Sequence, residues 1–260
     1  MTSYMRLRAA LVCLSLALIV PSVAQVGSGT GAPNPHLGSQ HPTVVKAVNS
    51  FSGGKALVEV ELTGTVKTHY GTDDQGTATL SVNANGSSTV EYRLGSGTSK
   101  NAASINDSAK SCSWSGSDGV NHKTPLHNCA RGVAWFLPAF SMQVAASSEK
   151  DSFESISTNG QSSPNEGVKH SRIFNRGKTE TELQLQKLSE TEIEVDPQSG
   201  LVASIQYNIH PDKTSTVNIP VEVRYSDYRE VNGIKVPFKV QKFVNNTLVE
   251  DLTIEHVNVN

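Results

Sequence analysis

Cys112 and Cys129 bracket a stretch that holds His122 and His127, side chains that could form a disulfide, bind a metal ion or stay as free thiols. The spacing Cys-x9-His-x4-His-x-Cys matches no zinc pattern, because structural zinc sites pair their ligands across short, regular gaps. A third cysteine, Cys13, lies far upstream in an apolar run. If that run is removed on export, an even pair remains, and even pairs in exported chains read as disulfides. A bridge would close a loop of about 17 residues. Metal binding and two free thiols stay open beside it.

Other reactive types lack a partner pattern. The chain contains no Gly-x-Ser-x-Gly and no His-Glu-x-x-His, so neither a nucleophile elbow nor a zincin helix is present. The Gly27-Ser28-Gly29-Thr30-Gly31 run follows no strand pattern, which removes the phosphate-cradle reading. Eight histidines are scattered without i,i+4 pairing on a helix. Asp227, between Tyr225 and Tyr228, could act as an acid or base. It reads instead as a strand-end aspartate that satisfies backbone N–H groups before a turn. Neither an enzyme nor a cofactor or metal protein is expected.

Apolar chemistry has one focus. Val133-Ala134-Trp135-Phe136-Leu137-Pro138-Ala139-Phe140 is apolar throughout and runs on to Met142. Its residues follow neither a helical nor a strand period, so one buried face does not account for all of them. Pro138 would break a continuous helix but suits the first turn of a short one running to Ala146. Val133, Trp135, Phe136, Leu137, Phe140 and Met142 are therefore the candidates to line or cover an apolar cavity.

The rest of the sequence must position these residues. Arg6 and Arg8, the apolar run Ala9–Val20, Pro21 and the small residues of Ser22-Val23-Ala24 form a secretory signal peptide over residues 1–24. Its apolar run falls short of the ~20 residues that a membrane span needs. Residues 25–41 read as a disordered leader and 42–260 as a single domain, with a disulfide-bearing insert around 95–130. The chain carries 22 basic and 24 acidic side chains, net -2, which excludes a nucleic-acid binder built on a basic face.

Apolar positions in Thr43–Ser50, after Pro42 and before Gly53-Gly54, predict a short helix. Val58, Val60 and Leu62 alternate with polar residues, as in a half-buried strand. Asn85-Gly86 predicts a type I′ hairpin turn between Leu80–Val82 and Val90–Leu94. Gly95–Lys123 and Ser147–Glu166 read as polar loops. The C-terminal third alternates throughout: Leu183 and Leu185, Ile193 and Val195, Leu201 to Ile209 in steps of two, Ile219 to Tyr225, Ile234 to Val240, then Leu252, Ile254 and Val257. Its turns fall at Asp196–Gly200, Asn232-Gly233 and Asn245-Asn246. This is an antiparallel meander.

Three pieces of that meander resemble the periplasmic lipoprotein-carrier family (outer-membrane lipoprotein sorting, LolA/LolB-like). They are Asp196-Pro197-x-x-Gly200-Leu201, the string Tyr225-Ser226-Asp227-Tyr228-Arg229 running into Asn232-Gly233-Ile234-x-x-Pro237, and the final strand ending in Val257-Asn258-Val259-Asn260. The resemblance implies an α+β, mostly antiparallel fold. Its curved, unclosed half-barrel sheet carries one to three short helices on the concave face, around a cavity for acyl chains. It also implies an exported, periplasmic carrier of an apolar ligand or of lipoprotein acyl chains, with no span in the mature chain. The family's lid-gripping arginine has no match here, nor does the disulfide-bearing insert. An envelope interaction protein of the same fold, with a filled interior, is the alternative.

Overall fold

The computed structural model describes residues 41–105, 110–129, 135–146, 151–156, 166–172 and 179–260. The signal-peptide and leader expectations lie outside these residues, apart from His41, as does Val133. Among the described residues, thirteen strands form one antiparallel sheet in the order β6-β5-β4-β3-β2-β1-β13-β12-β11-β10-β9-β8-β7. Two meanders thus run outward from a central pair, and β6 and β7 are left as unclosed edges. The first meander is β1 (Glu59–Tyr70), β2 (Thr72–Asn83), β3 (Ser87–Leu94), β4 (Gly97–Ile105), β5 (Lys110–Ser115) and β6 (Asn121–Lys123). The second is β7 (Asp151–Ile156), β8 (Glu166–Arg172), β9 (Thr191–Val195), β10 (Val202–Ile209), β11 (Ile219–Val231), β12 (Ile234–Val244) and β13 (Thr247–Val259). The expected α+β half-barrel is the fold observed.

Alternation sets the inner face. Val60, Leu62 and Val66 of β1, Leu80 and Val82 of β2, and Val236 and Val240 of β12 are buried in one core, with Leu252 and Ile254 of β13. Gly64 sits where β1 and β13 slip register, and a Cβ there would lie 2.0 Å from the Thr253 carbonyl oxygen. A bulge of this kind bends and twists a sheet. It also brings both Ile254 and Val257 to the core side, although their sequence parity differs.

Four helices, α1 (Pro42–Ser52), α2 (Leu126–Cys129), α3 (Pro138–Ala146) and α4 (Glu180–Leu188), are described, against the one to three expected. Pro42 stands in the first turn of α1, where its missing N–H costs nothing. Gly53 ends the helix in the left-handed region at φ 59°, donating its N–H to the Asn49 carbonyl. Val44, Ala47, Val48 and Phe51 form its buried stripe. Lys46 donates to the Pro197 carbonyl and Lys55 to that of Asn232, at 3.1 Å for the latter. The Asp196–Gly200 and Asn232-Gly233 turns are therefore the seat of α1.

Several expectations are corrected. The Gly95–Lys123 stretch contains three strands, and Ser147–Glu166 contains β7 and the start of β8. These strands are polar because they flank the sheet, and neighbour pairing rather than apolar alternation holds them. Leu183 and Leu185 lie on α4, which starts with a capping box between Thr179 and Glu182. In β10 a bulge follows Val202, so Val202 rather than Leu201 is the residue that turns inward. Asn232-Gly233 and Asn245-Asn246 are two-residue turns with positive φ at both positions. At the β2–β3 hairpin only Gly86 has positive φ, and its N–H meets the Asn83 carbonyl, giving a three-residue loop instead of a type I′ turn. Asp227 is not at a strand end. It lies inside β11 at φ 53° and accepts two hydrogen bonds from the exposed Arg229 guanidinium.

Asp196 yields the first prediction. Its carboxylate accepts from the backbone N–H groups of Gln198 and Ser199 and from the Ser199 hydroxyl, at 2.6–3.0 Å. The Ser199 contacts, backbone first, hold it below the ordinary carboxylate range. A lowered pKa contributes stability above the unfolded value of about 3.9, which is lost as pH falls through the folded value. Asp196→Asn should lower the Tm at pH 7, with the gap to wild type closing below about pH 4. A gap constant across a pH series of melts would show that charge plays no part.

Candidate functional site

The apolar segment enters the core as α3. Pro138 opens the helix, as its position predicted, and the helix runs to Ala146. Its apolar side chains, interrupted by Ser141 and Gln143, are not confined to a single stripe, which lets it face the sheet and α1 together. Phe136, Leu137, Phe140 and Met142 retain 0%, 1%, 1% and 2% of their surface. Trp135 is half-buried and meets Phe136 edge to face, with centroids 5.9 Å apart. The structure thus brings five of the six candidate residues into one packed layer inside the half-barrel. Val133 lies outside the described residues.

Two sheet residues hold the start of this segment. The Tyr225 hydroxyl donates to the Trp135 carbonyl, and the Lys242 ammonium lies 4.7 Å from the centre of the Trp135 ring. Tyr228, three residues along β11 from Tyr225, donates to the Val202 carbonyl at 2.7 Å. The Tyr-x-Asp-Tyr string is thus a set of clamps, with Arg229 stacked 4.3 Å from the Phe238 ring centre.

Sequence reading missed a polar cluster beside this layer. Lys242 and Glu250 face each other across β12 and β13 with Nζ and Oε1 3.2 Å apart. Glu250 also accepts from the Tyr70 hydroxyl and, at 3.0 Å, from that of Tyr92. Burial opposes the charge on Lys242, and the Glu250 carboxylate overrides it, holding the ammonium above its usual value. Burial, then Glu250, pushes the Tyr92 phenol up. The signal was present in the sequence: Lys242 continues the inward series Val236, Phe238, Val240, and Glu250 precedes Leu252 at the same parity.

Cys112 and Cys129 are joined, with Cα atoms 5.7 Å apart. The intervening histidines go elsewhere. His122 stacks on Trp114 at 4.4 Å and His127 meets His210 edge to face at 5.9 Å. Among the described residues no three His, Cys, Asp or Glu side chains converge as metal ligands. A cleft of about 640 Å3 opens between α4, the 210–218 loop and the ends of β9–β11, with Gln184, Gln206, Asn208 and Asn218 in its wall. Its lining is mostly polar, and it touches the core through Tyr207 and Val221.

No family model and no curated protein matches the chain. Solved structures do. A LolA-superfamily protein from Nitrosomonas europaea is 8% identical, with a TM-score of 0.49 over 84% of this chain and 92% of its own. A structure described as an outer membrane lipoprotein-sorting protein domain, from Vibrio parahaemolyticus, is 6% identical with a TM-score of 0.47 over 79% and 87%. A DUF1329-family protein from Desulfovibrio piger is 7% identical with a TM-score of 0.50, again over 84% and 92%. At these identities the likeness is one of fold, and it rests on the Desulfovibrio piger protein.

Proposed function

We propose that this is an exported, non-enzymatic binding protein that holds an apolar ligand, such as an acyl chain, between the concave face of its sheet and α3. The observation that carries this reading is the character of the Trp135–Ala146 segment. It is apolar except for Ser141 and Gln143, and among the described residues its start is attached to the sheet by one side-chain hydrogen bond and one cation–π contact. A segment so held can leave the sheet without breaking a strand ladder, and a hydrocarbon chain can take its place against the same side chains. Export is part of the reading. The signal-peptide pattern supplies the route, and the Cys112–Cys129 bridge suits an oxidising compartment.

One observation favours a second reading. Phe136, Leu137, Phe140 and Met142 are almost fully buried, as in an interior filled for good, which suits an envelope interaction protein of the same fold. Titration with the neutral dye N-phenylnaphthylamine separates the two. A carrier brightens the dye and shifts Trp135 emission, read in a Trp114→Phe background, and yields lipid in native mass spectrometry of protein taken from its own compartment. A folded wild type that ignores the dye and carries no lipid leaves the interaction protein.

A further inference from the structure

A purely hydrocarbon site has no use for a buried ion pair, because an ammonium and a carboxylate withdrawn from water cost stability unless they are fully hydrogen-bonded. Glu250 meets that condition. Its two oxygens take hydrogen bonds from Tyr70, Tyr92 and Lys242. Lys242 does not. Its side chain retains 18% of its surface against 7% for Glu250. Of the three N–H bonds on its ammonium, one is directed at Glu250, and the Trp135 ring covers the group from another side. No second oxygen acceptor reaches it among the described residues. Tyr207, whose phenol bears on the Lys242 charge, also lines the cleft beside α4.

Building on the carrier reading, we infer that Lys242 is the specificity-determining residue of the ligand site: it takes the carbonyl oxygen of an uncharged acyl ester or amide when Trp135 swings aside. The charge balance selects this head group. Lys242 and Glu250 together are neutral, so the pair offers hydrogen-bond donors without net positive charge. A carbonyl oxygen accepts such donors and brings no charge with it. A free carboxylate would put a second negative charge beside Glu250 in a poorly solvated site, where like charges repel strongly. The acyl tail would then run along the face that Phe136 and Phe140 now cover. The site is thus built for esterified or amidated acyl chains over free fatty acids.

Competition against bound N-phenylnaphthylamine tests this with three ligands of one tail length: monolauroylglycerol, its ether analogue dodecylglycerol, and laurate. In wild type the ester should displace the dye at a concentration about tenfold lower than either the ether or laurate, the effect expected of one hydrogen bond to a charged donor. Glu250→Gln removes the opposing charge and should move the preference toward laurate. Lys242→Met combined with Glu250→Gln keeps the site neutral and folded, and should bind the dye while treating ester and ether alike. Dye bound by wild type with equal competition from ester and ether overturns this inference and leaves the carrier reading intact. Absence of dye binding by folded wild type overturns both.

Discussion

Phe136→Ala should destabilise the protein by about 3–5 kcal/mol, the range for deleting a fully buried aromatic ring. The ring is wholly inaccessible and meets Trp135 edge to face, so truncation removes both its transfer energy and an aromatic contact. The neighbours that could fill the void are Leu137, Phe140 and the sheet residues, and they are themselves packed. Urea denaturation reads the effect as a lower midpoint at unchanged slope. Val58→Ala is the control: Val58 stands before β1 at 66% exposure, and the change should stay within about 0.5 kcal/mol. A loss below about 1 kcal/mol at Phe136 would mean that the segment is not packed against the sheet in solution. Ligand changes the expectation in a useful way. If the carrier reading holds, dye or acyl ester should recover part of the loss, because a ligand that binds the folded state adds stability by mass action. The filled-interior reading predicts no recovery.

How much of this was legible follows from where burial is one-sided. The long strands β1 and β11 to β13 have one buried and one wet face, so their period of two stood out, as did the turn at Asn232-Gly233. Asn85-Gly86 carries the same dipeptide, but a longer loop relieved Asn85 of the left-handed conformation. Strands β4 to β8 were missed as strands because they are mostly polar, with apolar residues scattered singly, and their pairing comes from neighbours that sequence periodicity does not display. The α4 helix was readable from Thr179-x-x-Glu182, a signal that the apolar spacing of Leu183 and Leu185 masked. The apolar segment was found because it violates both periods. The Lys242–Glu250 pair was overlooked for the opposite reason: charged residues ended the apolar alternation on paper, although in the sheet they continue its inward face.

Replacing both Cys112 and Cys129 with serine should cost about 3 kcal/mol, the chain-entropy value for a loop of this length, and should free a defined part of the fold. Cys129 ends α2, a helix of four residues that is too short to be stable alone. On one side the disulfide ties α2 to Cys112 in β5. On the other, the Asn128 side chain donates to the His210 carbonyl at 2.8 Å and accepts from the His210 N–H at 3.0 Å, just past the end of β10. Strands β5 and β10 stand eight places apart in the sheet order, so α2 is a strap between its two wings. These two hydrogen bonds, worth about 1 kcal/mol each, and the His127–His210 ring contact are weaker together than the covalent tie, so the four-residue helix loosens once that tie is gone. Hydrogen exchange should therefore quicken at His210 and Asn128 in the double serine variant, while Leu252 and Val240 in the central strands exchange as in wild type. Unchanged protection at His210 would show that the strap is held without the disulfide. Quickened exchange across the central strands would show instead that the bond supports the whole sheet and not this one crossing.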